Sequence, residues 1–219
     1  LQLGGDVAPV GDDRMGRNAE RQVYISADYD YYNGDQDVVE ELVKWGKDDK
    51  HKVDFVDMSN PSSGSISDSN DCRICDLKRE FNSQINASST VVFVVGDRTK
   101  YRTAGSNCDR NNKEWYECYC TPYKQNINGK KLCKWTSTSP ASDGNVGNIN
   151  AYSYLRHEFE QAKIKGKPII IVYNSTRYES SWLPSYMKDY EDNAVPFWIK
   201  DIYGNKVGNY SYIKEALGF

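Results

Sequence analysis

Histidine is scarce in this chain, with two in 219 residues, His51 and His157. Two imidazoles are too few for a histidine-rich metal centre, and no metal is expected. His157 follows Arg156 and is read as facing out from its helix, which leaves little basis for a Ser-His-Asp triad. No apolar run is long enough to cross a bilayer as a helix. The N-terminal stretch lacks the apolar segment of a secretory signal, so a cytoplasmic location with no membrane partner is expected. Neither sign of charge dominates: 28 Lys and Arg stand against 31 Asp and Glu, for a net charge of -3. With a pI of about 5.5, nothing points to a nucleic-acid backbone as partner. The phosphate-cradling GxxxxGK[ST] loop, the dinucleotide GxGxxG and the zinc-protease HExxH are all missing.

What is present suits one α/β domain with an insertion. Hydrophobic residues make up 38%, a low share but enough for a core of this size. Seventeen Tyr and a mean hydropathy of -0.77 point to many half-buried, amphipathic positions. The six Cys are expected to be reduced thiols. Leu1 to Arg14 shows no period and is rich in Gly and Asp. Residues 1–20 are read as a tag or mobile arm, with Met15 a candidate native start, and 21–219 as the domain.

The stretch that organises the chain is 152–173, YSYLRHEFEQAKIKGKPIIIVY. Leu155, Phe159 and Ala162 recur at helical spacing. Glu158 lies three residues after Leu155 and four before Ala162, so its carboxylate falls on the apolar face. A carboxylate there is unfavourable unless it is paired or used. The alternative is a Glu158 that curls out to solvent. Gly166 stops the helix, and Ile169 to Val172 reads as a buried parallel strand.

Before it, Gln22 to Ser26 alternates Val23 and Ile25 against Tyr24 and is read as the first strand. It ends in Ala27-Asp28-Tyr29, a polar and aromatic loop at a carboxyl end, where open α/β sheets bind ligands. Asp35 or a neighbour caps the helix that follows, read over 36–45 and stopped by Gly46. Further strands are read at 53–58, with Asp57 near its end, at 90–95, ending in Gly96-Asp97-Arg98-Thr99, at 168–173 and at 195–199. A helix carrying Ile74, Leu77, Phe81 and Ile85 precedes the third. Short helices are read at Trp182–Met187 and Tyr210–Leu217. Strands alternating with helices imply right-handed crossovers and a parallel sheet in the flavodoxin-like order 2-1-3-4-5.

Lys100 to Ala151 breaks the pattern. It is read as a long insertion after the third strand that packs over the carboxyl ends and partly roofs the site. Trp115, Tyr116, Tyr119 and Trp135 would pack it onto the domain or stack on a base. Its Cys108, Cys118, Cys120 and Cys133 are read mainly as free thiols, with zinc or a disulfide as alternatives; Cys118 and Cys120 are expected not to bind zinc. Cys72-x-x-Cys75 has redox spacing but lacks the strand-turn-helix setting.

In this order the elements resemble a known family. QVYISADYD resembles the opening strand of TIR domains, and VVFVVGDRT their strand ending in a glycine-x-x-threonine loop. Tyr154, four residues before Glu158, stands where TIR domains usually carry Trp. The tail FWIKDIYGNKVGNYSYIKEALGF is similar to bacterial TIR-like proteins of flavodoxin type near the Thoeris anti-phage component. The likeness spans most of Gln22 to Phe219 outside the insertion, which is much longer than the family's connection. It implies NAD+ as substrate and cleavage of the nicotinamide–ribose bond, with hydrolysis or cyclisation to a cyclic ADP-ribose-type signal. Glu158 would be catalytic. Ser26, Ala27, Asp28, Tyr29, Asp57, Gly96, Asp97, Thr99 and Tyr154 would line the substrate. No cofactor beyond NAD+ is implied. A phage-derived trigger, a separate nucleotide-sensing effector and self-association would be the partners. Two other readings fit the same layers: a TIR interaction module without activity, and an enzyme like the nucleoside deoxyribosyltransferases.

Overall fold

A computed structural model describes residues 22–28, 34–47, 53–56, 70–102, 123–125, 131–133 and 153–219. Within them the strands are β1 Gln22–Ser26, β2 Asp54–Val56, β3 Thr90–Val95, β4 Tyr123–Gln125, β5 Lys131–Cys133, β6 Ile169–Tyr173, β7 Val195–Pro196, β8 Trp198–Lys200 and β9 Lys206–Gly208. The helices are α1 Gln36–Lys47, α2 Asn70–Ala87, α3 Tyr154–Ile164 and α4 Tyr210–Ala216. Five strands form one sheet in the order β2-β1-β3-β6-β7, and every pairing is parallel. This is the expected flavodoxin-like order.

The chain steps from β1 to β2 in one direction, then back past β1 to β3 and on to β6. Right-handed crossovers therefore put α1 on one face and α2 with α3 on the other. The two cores follow. Val38, Val39, Leu42 and Trp45 of α1 pack on Val23, Ile25, Val92, Val94, Ile170 and Val172, joined by Ile213 of α4. Phe81 and Ile85 of α2 and Leu155, Phe159 and Ala162 of α3 pack on Tyr24, Val91, Phe93, Val95, Ile171 and Tyr173. The six residues of β3 are all buried, as a central strand covered on both faces must be.

Several elements depart from the sequence reading. Helix α1 runs through Gly46 to Lys47 rather than stopping at the glycine. A Cβ at Gly46 would lie 3.0 Å from the Val53 carbonyl oxygen, so this glycine serves close packing against β2. The last strand breaks in two. Pro196 opposes Tyr173, and past it the Phe197 N–H still donates to the Tyr173 carbonyl at 2.9 Å and the Trp198 N–H to that of Ser175 at 3.1 Å. From Trp198 on, β8 pairs antiparallel with β9. The short helix expected at Trp182–Met187 is two 3-10 segments, Ser180–Trp182 and Ser185–Asn193. In α4 only Ile213 is buried; Ala216 is exposed. Inside the insertion β4 and β5 form an antiparallel pair where the sequence shows little periodicity. Its packing over the site, its other cysteines and aromatics, and the arm at 1–20 lie outside the described residues.

The hairpin of β8 and β9 is rooted on α1. A Cβ at Gly208 would sit 2.5 Å from Cζ2 and 2.8 Å from Cη2 of Trp45. Trp45 cannot easily yield. Its ring lies 5.5 Å from Phe197 and 5.2 Å from Tyr210, and its Nε1 donates to Glu41 at 2.9 Å. Gly208→Ala is expected to destabilise by about 1–3 kcal/mol, the range for overpacking a filled core. A urea midpoint lowered at constant slope would show it; an unchanged midpoint would mean the indole moves freely.

Candidate active site

Period-two alternation along β1 sends Tyr24 and Ser26 to the face covered by α3. Helix α3 is set by local signals at both ends. The Ser153 Oγ accepts from the Arg156 N–H at 3.1 Å as N-cap. At the other end Gly166 takes a φ of 60°. The Lys167 N–H then bonds the Ala162 carbonyl and the Gly166 N–H that of Lys163, which closes the helix in a Schellman motif. Between these ends, helical phase aims Glu158 at the sheet.

The Glu158 carboxylate is 4% exposed. The Tyr24 hydroxyl donates to its Oε1 and the Ser26 hydroxyl to its Oε2. Burial pushes its pKa up to about 7, and the two hydroxyls pull the other way without cancelling it. Asp28, just past the end of β1, pairs with Arg102. Among the described residues the carboxylate meets the two hydroxyls of β1, because a side chain beneath the sheet face reaches the strand.

The other sequence-derived residues divide. Ala27 is buried in the core with α1. Thr99 is buried and its Oγ1 accepts from the Gly96 N–H at 2.8 Å, while Asp97 is exposed. Tyr154 packs edge-on against Phe81 of α2, with ring centroids 5.5 Å apart. Tyr29 and Asp57 lie outside the described residues.

Residues that sequence reasoning passed over complete the site. Tyr24 was read only for its alternation. Tyr186 stacks 5.6 Å from Phe159, with the Arg156 guanidinium 5.5 Å above its own ring. Its hydroxyl is pushed up to about 12, by burial first and with the Glu158 charge adding to it. Asp35 is buried at the strand ends beside Gly96 and Asn174; as a helix-capping candidate it was only half seen. A polar Asn174 directly after an apolar strand was the available signal.

His157 corrects the expectation most plainly. It is buried, not outward. Its Nε2 lies 2.8 Å from the Asn82 Oδ1 and 3.2 Å from the Lys78 carbonyl, so Nε2 carries the proton and ties α3 to α2. The period that marks an inward face is the same for a histidine as for a leucine, and α2 takes up that side of α3. Burial and then the Lys78 charge lower its pKa to about 3. A depressed histidine adds stability that is present above about 6.5 and lost as pH falls towards 3. His157→Gln is therefore expected to flatten the loss of stability between pH 7 and pH 4. Parallel acid-unfolding curves for the two proteins would contradict it.

Fold and site together define a three-layer α/β domain with a proton-holding carboxylate under the carboxyl half of its first strand. Among the described residues no group of His, Cys, Asp and Glu could hold a metal, and no helix is long and apolar enough to cross a membrane. Residues 24–105 match the family model of the TIR-like domain of the Thoeris protein ThsB. The likeness covers β1 through β3 and the turn that follows, and over this stretch the chain is similar to that anti-phage family. Glu158 lies beyond the matched residues. No curated protein and no solved structure matches the chain.

Proposed function

We propose that the protein is an NAD+-consuming TIR enzyme that cleaves the nicotinamide–ribose bond and forms a cyclic ADP-ribose-type signal in anti-phage defence. The observation that supports this reading is Glu158, a buried carboxylate on α3 held by Tyr24 and Ser26 of β1, its pKa raised by burial to about 7. Loss of nicotinamide passes through an oxocarbenium-like state, and a carboxylate beside the ribose stabilises the developing charge. Tyr24 and Ser26 would orient it, and Ser26 would yield its hydrogen bond to a ribose hydroxyl. NAD+ is substrate, and the reaction needs no further cofactor. A phage-derived trigger, a nucleotide-sensing effector and self-association are the partners this role calls for.

One observation favours a second reading. Both Glu158 oxygens are already satisfied inside the protein, as in an interaction module without activity. Incubation with NAD+ and, separately, with a deoxynucleoside plus a free base, read by mass spectrometry, separates the readings. Nicotinamide release supports the enzyme; base exchange would point to deoxyribosyl transfer instead. Because the ionised carboxylate stabilises the cation, kcat is expected to rise with pH through about 7. A rate flat from pH 5.5 to 8 would remove Glu158 from the chemical step.

A further inference from the structure

The hairpin of β8 and β9 has one edge and one face that the domain does not use. Its register sets Trp198 against Gly208, Ile199 against Val207 and Lys200 against Lys206. The Asn209 N–H donates to the Phe197 carbonyl at 2.7 Å, and the Asp201 N–H to the Asn205 carbonyl at 2.9 Å. Backbone groups alternate along a strand, so Val207 bonds Ile199, and the N–H and C=O of Lys206 and Gly208 point away from β8. No strand takes them up among the described residues. A lysine commonly guards such an edge. Lys206 does not, because its Nζ is drawn to Asp37 at 3.2 Å and lies 4.0 Å above the Trp198 ring, over the face turned to α1. The opposite face shows Ile199 and Val207, 40% and 36% exposed, and within the paired residues it carries no charge.

The hairpin is held at both ends. At its tip the Asp201 carboxylate accepts from the N–H of Tyr203 at 2.9 Å, the N–H of Asn205 at 2.8 Å and the Asn205 amide at 3.0 Å. At its root Gly208 sits against Trp45. An edge ordered in this way loses little freedom when a further strand adds to it.

We propose that β9 is a self-association edge: it pairs antiparallel with β9 of a second copy about a twofold axis at Val207, joining two hairpins into one four-stranded sheet. This gives the self-association named above a surface, and it does not depend on NAD+ cleavage. A twofold contact needs a patch that complements itself, and the charges here do so. In this register Lys206 of each copy faces Gly208 of the other, and every outward backbone group of the edge finds a partner. No lysine meets a lysine. Each comes beside Glu41 of the other copy instead, since the Glu41 Cγ lies 3.3 Å from where a Cβ on Gly208 would stand. On the outward face Val207 meets its own copy, with Ile199 one strand further in on either side. The contact is smaller than a standard interface, so a weak dimer is expected, with a dissociation constant on the order of 100 µM.

Sedimentation equilibrium from about 10 µM to about 1 mM reads the association. The wild type is expected to pass from monomer to dimer across that range. Val207→Asp sets two carboxylates opposite each other at the axis and should stay monomeric. Val207 is exposed in the single copy, so the variant should keep the wild-type circular dichroism spectrum and melting temperature. Val207→Cys reads the register. A facing pair that exchanges no hydrogen bonds brings its Cα atoms to about 4.5 Å, within reach of a disulfide. Under mild oxidation this variant should form a dimer linked through the two substituted positions, beyond any linkage that the six native Cys give the wild type. Ile199→Cys, a strand away from the axis, should not. A wild type that stays monomeric at the highest concentration overturns the proposal. So does a Val207→Asp dimer as tight as wild type, or linkage no greater at Val207 than at Ile199.

Discussion

Glu158→Gln is expected to lower NAD+ cleavage on the order of a hundredfold or more while the protein stays folded. The magnitude is that of losing one preorganised electrostatic stabiliser. The amide keeps the shape, and the hydroxyls of Tyr24 and Ser26 can rotate to meet it. Stability shifts in a defined direction. A carboxyl raised from 4.5 to about 7 gives stability that is present below about 4.5 and lost as pH rises through 7. The glutamine has no such dependence. Relative to wild type, the variant should therefore gain stability between pH 5 and pH 8, by up to roughly 3 kcal/mol for a shift of this size. Urea unfolding at the two pH values reads the gain, and product analysis reads the activity. Glu160→Gln, half-buried two residues further along the same helix, serves as the control and should change little. If wild type cleaves NAD+ and Glu158→Gln cleaves it equally well, Glu158 is a structural acid. The reacting carboxylate would then be sought at Asp28, Asp57 or Asp35.

Phe159→Ala should have the largest effect on the fold itself. Phe159 is fully buried next in sequence to Glu158. Its ring meets Phe93 of the central strand at 5.4 Å, Tyr186 at 5.6 Å and Tyr190 at 5.4 Å. One side chain therefore joins the sheet, α3 and the 3-10 segment Ser185–Asn193. Truncation removes buried ring area and leaves a cavity that three aromatic neighbours cannot all fill. The expected loss is about 3–5 kcal/mol. At roughly 2–4 °C per kcal/mol for a chain of this length, the melting temperature should fall by about 10 °C. A drop below about 2 °C would mean that Tyr186 and Tyr190 collapse into the space. Paired with Glu158→Gln, this variant separates loss of chemistry from loss of structure in two adjacent residues.

The sheet was legible because its strands are continuous apolar runs and its helices carry local stop signals. Val91 to Val95 reads as a doubly covered strand in isolation, and Gly166 announces the end of α3 before any tertiary contact is known. The antiparallel partner was not legible: only the fold brings Lys206–Gly208 beside Trp198–Lys200 to form β8 and β9. His157 was misread because adjacency to Arg156 was taken as exposure, whereas the side of α3 it occupies is covered by α2.

The inward phase of Glu158 was fixed by its own helix, since Leu155, Phe159 and Ala162 define the buried face within one turn on either side. What meets it there was not. Tyr24 and Ser26 are more than 130 residues away in sequence, and only the pairing of β1 with β3, beneath α3, brings their hydroxyls to it. Asp35 follows the same division. Its place before α1 was local and readable as a cap. Its raised pKa comes from burial first and from the charges of Asp28 and Asp37, against the pull of the Asn174 hydrogen bond. Periodicity sets where a side chain points because it depends on neighbours three or four residues away. Burial and its effect on a titrating group depend on elements that meet only when the sheet assembles.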